Sequence, residues 1–306
     1  MGRTAWRAAQ WIVALAIIGF AASDLARSWS RLREQPVEWA LRPALLAASA
    51  LVVWAMYALL IQAWRVMLRG WGDELAYGAA ARIWTVSSLG KYIPGKLWAI
   101  AGMAVMAQRA GVRRWTATAS AVILQALAVG TGAAVVGAAG SASLESRYPW
   151  VPAALAWMVV ASVVGMALLL WPPFVARLLR FVRIEAERPS PGVPAVVGGG
   201  AANILAWLGY GLAFWLLARG LFDAPGFTPA LAITTFAASY IAGLLFLPAP
   251  AGIGVRESVV ILMLGGAVGE TGALALAIAS RVLLTITEFG AATPFLLAGA
   301  RVRGES

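Results

Sequence analysis

Apolar residues fall in long unbroken runs along this chain, separated by short segments rich in arginine. Six runs reach the roughly 20 residues that a helix needs to cross ~30 Å of hydrocarbon: 8–25, 43–68, 115–139, 150–171, 194–217 and 272–298. Two further apolar regions behave differently. Residues 78–110 are too long for one ordinary span and too short for two, and they are broken at 92–95; residues 228–266 are broken at LPAPAGIG, 247–254. Proline removes a backbone donor and collides with the preceding turn, while glycine permits a reversal, so each region reads as two half-helices meeting at a non-helical tip. At membrane depth such backbone survives only when buried in protein or lining a watery cavity.

The order repeats. A full helix, a broken pair and a full helix over 43–139 recur over 194–298, and the single run 150–171 between them makes the second unit inverted relative to the first. The expected fold is therefore all-α: one integral membrane domain over 1–306, with six full transmembrane helices plus two re-entrant broken helix pairs in inverted repeats, a transporter arrangement. The run 8–25 reads as a retained helix, since no convincing small-residue cleavage site follows it.

Composition agrees, with 61% hydrophobic and 12% charged residues and a mean hydropathy of +0.81; these describe a polytopic membrane protein without a soluble domain. A net charge of +11 would point to nucleic acid in a soluble protein. Here the arginines gather at the ends of apolar runs, where they orient helices and meet anionic headgroups, so nucleic acid is not an expected partner. A cytoplasmic N-terminus puts the groups Arg109, Arg113 and Arg114, then Arg177, Arg180, Arg183 and Arg188, then Arg301 and Arg303 inside, with a cytoplasmic C-terminus. The segments near Arg147 and Arg219 fall outside. The segment 24–42 dissents, being external by this count yet holding Arg27, Arg31, Arg33 and Arg42; Trp29 and Trp39 suggest that it is an interfacial helix.

Cysteine and histidine are both absent, which removes thiolate nucleophiles, Cys/His metal sites and the usual general base. No GxSxG elbow or GxxxxGK[ST] loop is present, and the carboxylates are scattered. The chain reads as a non-enzyme, without cofactor or metal.

The only two lysines, Lys91 and Lys96, flank Pro94 and Gly95 in GKYIPGK. An ionised side chain in hydrocarbon costs at least ~2.5 kcal/mol, so this pair points to an anionic ligand. A half-helix starts after Gly95, and its unpaired N–H groups and positive dipole end suit a phosphate beside Lys96. The alternative is that both lysines snorkel to cytoplasmic headgroups. The second tip sets Arg256 and Glu257 just past Pro250, Gly252 and Gly254. Arg256 offers a bidentate fork to phosphate; alternatively Arg256 and Glu257 pair with Glu288 and Arg281 of the last helix for packing. Gln125 and Asn203 read as hydrogen-bonding links between helices, with substrate contact the lesser possibility.

The strings YIPGKLWAIAGMAVMAQRAGV, LPAPAGIGVRESVVILMLGGAVG and ALALAIASRVLLTITE resemble the hallmark regions of the lysylphosphatidylglycerol synthase transmembrane, or flippase-like, family. The resemblance runs from about residue 40 to 295, and GIGVRE is its most specific part. It implies motif positions at Pro94, Gly95 and Lys96 and at Pro250, Gly252, Gly254, Arg256 and Glu257. It also implies a flippase, or a partner of envelope lipid and glycan synthesis, acting on anionic, aminoacylated or polyprenyl-phosphate lipids. The soluble aminoacyl-transferring domain of the full synthases has no counterpart before Ser306, so synthase activity is not expected.

The expected function is movement of an anionic phospholipid or polyprenyl-phosphate-linked lipid between leaflets of the bacterial inner membrane. The expected headgroup contacts are Lys96 and Arg256, supported by Lys91, Arg281 and Glu288. A non-catalytic scaffold for an envelope glycosyltransferase or lipid-modifying enzyme is the second reading, and a small-anion transporter the third.

Overall fold

The computed structural model describes residues 39–92, 98–144, 151–181, 190–246, 252 and 254–304, with backbone alone at 141–144, 151–152 and 298–304. Among these residues the fold is helical throughout, with no strand. The helices are α1 (Pro43–Gly70), α2 (Tyr77–Ser88), α3 (Trp98–Arg109), α4 (Arg114–Leu144), α5 (Val151–Leu169), α6 (Pro172–Phe181), α7 (Val193–Leu221), α8 (Pro229–Leu245) and α9 (Val255–Gly304). A 3-10 turn, Leu89–Tyr92, follows α2.

Proline opens α1, α7 and α8 in the first turn, where its missing N–H has no helical partner to lose. Glycine breaks α9: Gly269 has φ 75° and ψ 159°, a backbone region essentially reserved for glycine. It divides the helix into segments 255–268 and 270–304.

The most extensive helix pairing is that of α1 with α7. Leu46 meets Gly220, Met56 meets Gly209, and Gly70 meets Pro191, so the two helices run antiparallel along their whole length. Small residues permit the approach, since a Cβ on Gly209 would stand 2.2 Å from the Met56 sulfur. The entry to α1 is stapled to the exit of α7. Arg42 donates to Arg219 O at 2.7 Å and to Asp223 at 2.6 Å, and Ala40 N donates to Leu221 O at 2.9 Å. Arg42 also holds the exposed Asp223 carboxyl below its usual range, through that hydrogen bond and its charge.

Around this pair stand two helical hairpins. In the first, Gly90 abuts Ala99 and Gly102 abuts Ser87, so α2 and α3 fold back on each other. In the second, Gly243 abuts Arg256 and Gly226 abuts Ala267, so α8 and the segment 255–268 do the same. The arms of the first hairpin have 12 residues each, or about 18 Å, well short of a hydrocarbon core. The long helix α4 packs against α7 and α8, and α9 against α1, α2, α7 and α8.

Four described helices are long and apolar enough to cross a membrane: Pro43–Gly70, Arg114–Gly140, Val193–Leu221 and Val255–Leu297. A fifth exists if α5 and α6, bent by 94° at Leu170 and Trp171, make one span. This protein is thus a multi-pass membrane protein with four or five described spans, against an expectation of six full helices. The run 8–25 lies outside the described residues. The run 150–171 ends early because two prolines, Pro172 and Pro173, turn the chain into the amphipathic helix α6, which buries Val175 and Leu179 and exposes Arg177 and Arg180.

Candidate functional site: a charged cavity between the two hairpin tips

Both hairpin tips border one cavity of about 290 Å³. Ser87, Ser88, Lys91, Tyr92 and Ala99 reach it from the first tip, and Gly243, Leu244, Gly252 and Arg256 from the second. Helical spacing supplies the walls. On α9, Arg281 and Glu288 are seven residues apart and share a face; on α8, Phe236 and Tyr240 do so at four. All four line the cavity.

Glu288 is 7% exposed and is held from three directions. Its carboxylate pairs with the Lys91 ammonium and accepts from Tyr92 Oη at 2.8 Å and Tyr57 Oη at 3.4 Å. Tyr92 Oη also lies 3.1 Å from Thr285 Oγ1. A buried carboxylate requires such partners, because an unpaired charge taken out of water is left with its desolvation cost uncompensated. A second pair joins α9's two segments: Arg281 and Glu257 are 2.5 Å apart.

Arg256 is different. Its guanidinium lies 5.0 Å from the Tyr240 ring centre and 5.8 Å from that of Phe236. It makes no ion pair or hydrogen bond with any described residue. Tyr210, Phe236 and Tyr240 form a run of stacked rings, and Trp207 meets Tyr240 edge-on at 5.5 Å. The rings orient the cation but offer no oxygen to its N–H groups, which leaves the fork available to an anion.

The placement of Arg256 depends on two glycines. Gly252 has φ +71°, and a Cβ there would stand 2.7 Å from Gly243 Cα; a Cβ on Gly243 would meet Arg256 Cγ at 2.5 Å. The contact between these backbones brings the arginine stem against α8. This gives the GIGVRE glycine at 252 a physical role: it allows both the left-handed turn and the close approach.

Of the residues singled out from the sequence, Lys91, Gln125, Asn203, Gly252, Arg256, Arg281 and Glu288 line the cavity. Pro94, Gly95, Lys96 and Pro250 lie outside the described residues. Gly254 (φ +82°) opens α9 and accepts from Ser258, and it is not among the cavity-lining residues. Glu257 is not among them either. The ion pairs are not those of the sequence reading in full: Glu257 does pair with Arg281, but Glu288 takes Lys91, not Arg256. Lys91 is therefore turned inward to a carboxylate.

The aromatic lining was not anticipated. Tyr57, Tyr210, Tyr240 and Trp207 all face the cavity, and each lies mid-helix, away from the interfacial belts where such residues usually gather. That displacement is the signal by which the sequence marks them. Asn203 donates to Gly199 O of its own helix at 2.8 Å instead of linking two helices.

Comparison with known proteins adds one finding: the family model described as lysylphosphatidylglycerol synthase TM region matches residues 7–290. Curated proteins give no match.

Proposed function

Because the chain belongs to the lysylphosphatidylglycerol synthase TM region family, a membrane family tied to lipid metabolism, we propose that it moves an anionic lipid between leaflets. The substrate is a phospholipid or a polyprenyl-phosphate-linked lipid, and the protein carries it without catalysing a reaction. The observation that supports this most is Arg256, a cation in the shared cavity with aromatic neighbours and no carboxylate partner among the described residues. A phosphate oxygen pair fits that guanidinium fork.

The route follows from the order of elements. Each hairpin is read as re-entrant, one entering from each leaflet, with its tip against the cavity. The antiparallel α1/α7 pair supports the inverted relation of the two units, since these helices occupy the same place in the two recurring orders. A headgroup passing between the tips meets Lys91 and Arg256 in turn, while Glu288 neutralises Lys91 when the cavity holds no anion. The arginines at 109, 113, 114, 177 and 180 orient the protein with both termini in the cytoplasm of a bacterial inner membrane.

Native mass spectrometry of the purified protein tests the reading. The wild type should retain an anionic lipid that Arg256→Ala loses, whereas Arg177→Ala, at an exposed helix position, keeps it. Equal retention by all three would remove the phosphate role of Arg256.

A further inference from the structure

The cavity has a second polar wall, which the charged network leaves unused. Gln125 on α4 and Asn203 on α7 both line it. Polar side chains within helix bundles commonly hydrogen-bond across to a neighbour, yet neither does so here. Asn203, 5% exposed, spends one amide hydrogen on its own helix at Gly199 O, and its carbonyl oxygen has no described partner. Gln125 hydrogen-bonds no described residue. Ser87 and Ser88 also line the cavity, from the first hairpin. Their hydroxyls donate to Trp84 O at 3.2 Å and Thr85 O at 2.9 Å, so their oxygens remain acceptors.

This wall adjoins the arginine shelf. Asn203 lies one turn before Trp207, about 6 Å along α7, and the Trp207 ring stands 5.5 Å from Tyr240, the ring beside Arg256. A phosphate on Arg256 would therefore share the cavity with Gln125 and Asn203, which are placed to meet the group it is esterified to. The wall is uncharged and offers both donors and acceptors, the combination that a hydroxyl group matches.

We infer, resting on the lipid-carrying reading above, that Gln125 and Asn203 are specificity-determining residues that read hydroxyl groups on the headgroup beyond its phosphate. A site that hydrogen-bonds a substrate hydroxyl discriminates against the analogue lacking it, because its own polar groups are then left unpaired. Glycerol and sugar headgroups share this chemistry.

The test measures binding to the full chain in nanodiscs for two lipid pairs. One pair is phosphatidylglycerol and phosphatidic acid; the other is a sugar-linked polyprenyl phosphate and bare polyprenyl monophosphate. The wild type should prefer the hydroxylated member of one pair, and that pair identifies the source. Gln125→Leu and Asn203→Leu should each lower this preference about fivefold while leaving the unhydroxylated lipid bound at least as tightly as before, which also reports that the variant is folded. Asn203→Ser, which keeps an oxygen acceptor, should retain part of the preference. If Asn203→Leu does not fold, Gln125→Leu decides alone. No preference in the wild type, an unchanged preference in the variants, or equal weakening of both members would overturn the inference. Failure of the underlying reading is separate: there, Arg256→Ala would leave phosphatidic acid binding intact, whatever the preference.

Discussion

Lys91 and Glu288 stand 197 positions apart in the chain, yet their pairing ties the first hairpin tip to the last helix. Lys91 is 25% and Glu288 7% exposed, so the pair is shielded from solvent, and removing one partner strands the other. Loss of a buried partner costs about 3 to 5 kcal/mol, and partial exposure of the lysine places the expected value at the low end. Glu288→Gln and Lys91→Gln should each lower the thermal midpoint in detergent, with the double variant recovering most of the loss. A coupling near zero in this cycle would show that the two charges act independently. Arg256 answers to a different test. Arg256→Ala removes charge, fork and ring contact together, and a lost charged hydrogen bond of about 1.5 to 3 kcal/mol corresponds to a roughly 10- to 100-fold weaker lipid affinity. Arg256→Lys keeps the charge but not the planar fork, so its affinity should fall between the two; a lysine variant as tight as wild type would exclude bidentate recognition.

The two hairpin tips show how much of these elements the sequence made legible. Proline and glycine at 94–95 and at 247–254 marked both breaks, and the structure has helices ending at Ser88 and Leu245 and starting again at Trp98 and Val255. The full spans at 43–68, 115–139 and 194–217 were equally readable, because a 20-residue apolar run has few alternatives. What the sequence did not reveal depends on distant neighbours. The partner of Glu288 is decided by how hairpin and helix pack, and the bend after α5 by two prolines that look like ordinary span punctuation. Gly252 and Gly254 look alike in the motif but differ in surroundings. Both have positive φ, worth about 1 to 2 kcal/mol against alanine, but only Gly252 has backbone within 3 Å of an added Cβ, whereas the space around Gly254 is open. Gly252→Ala should therefore displace Arg256 and weaken anionic-lipid binding, while Gly254→Ala should lose stability alone. Similar binding losses in both would mean that the backbone contact with Gly243 does not set the arginine.

At the scale of the whole molecule, the antiparallel α1/α7 pair makes a statement about sidedness. The first hairpin hangs from the end of α1 and the second from the end of α7, and those ends lie at opposite extremes of the pair. The chain has no cysteine, so single cysteines report directly. Replacing the exposed Glu74 and Arg109, which bracket the first hairpin, and Pro225 and Glu270, which bracket the second, should give two sites labelled from one face by an impermeant thiol reagent and two from the other. A hairpin whose bracketing sites label from different faces crosses the membrane fully and is not re-entrant. Transport itself is the central claim, and it is read most directly in proteoliposomes carrying a fluorescent anionic phospholipid analogue, with dithionite bleaching the outer leaflet. The wild type should make the inner-leaflet probe accessible faster than protein-free liposomes do, and Arg256→Ala should abolish most of that gain. A wild-type rate no faster than that of empty liposomes would contradict the claim.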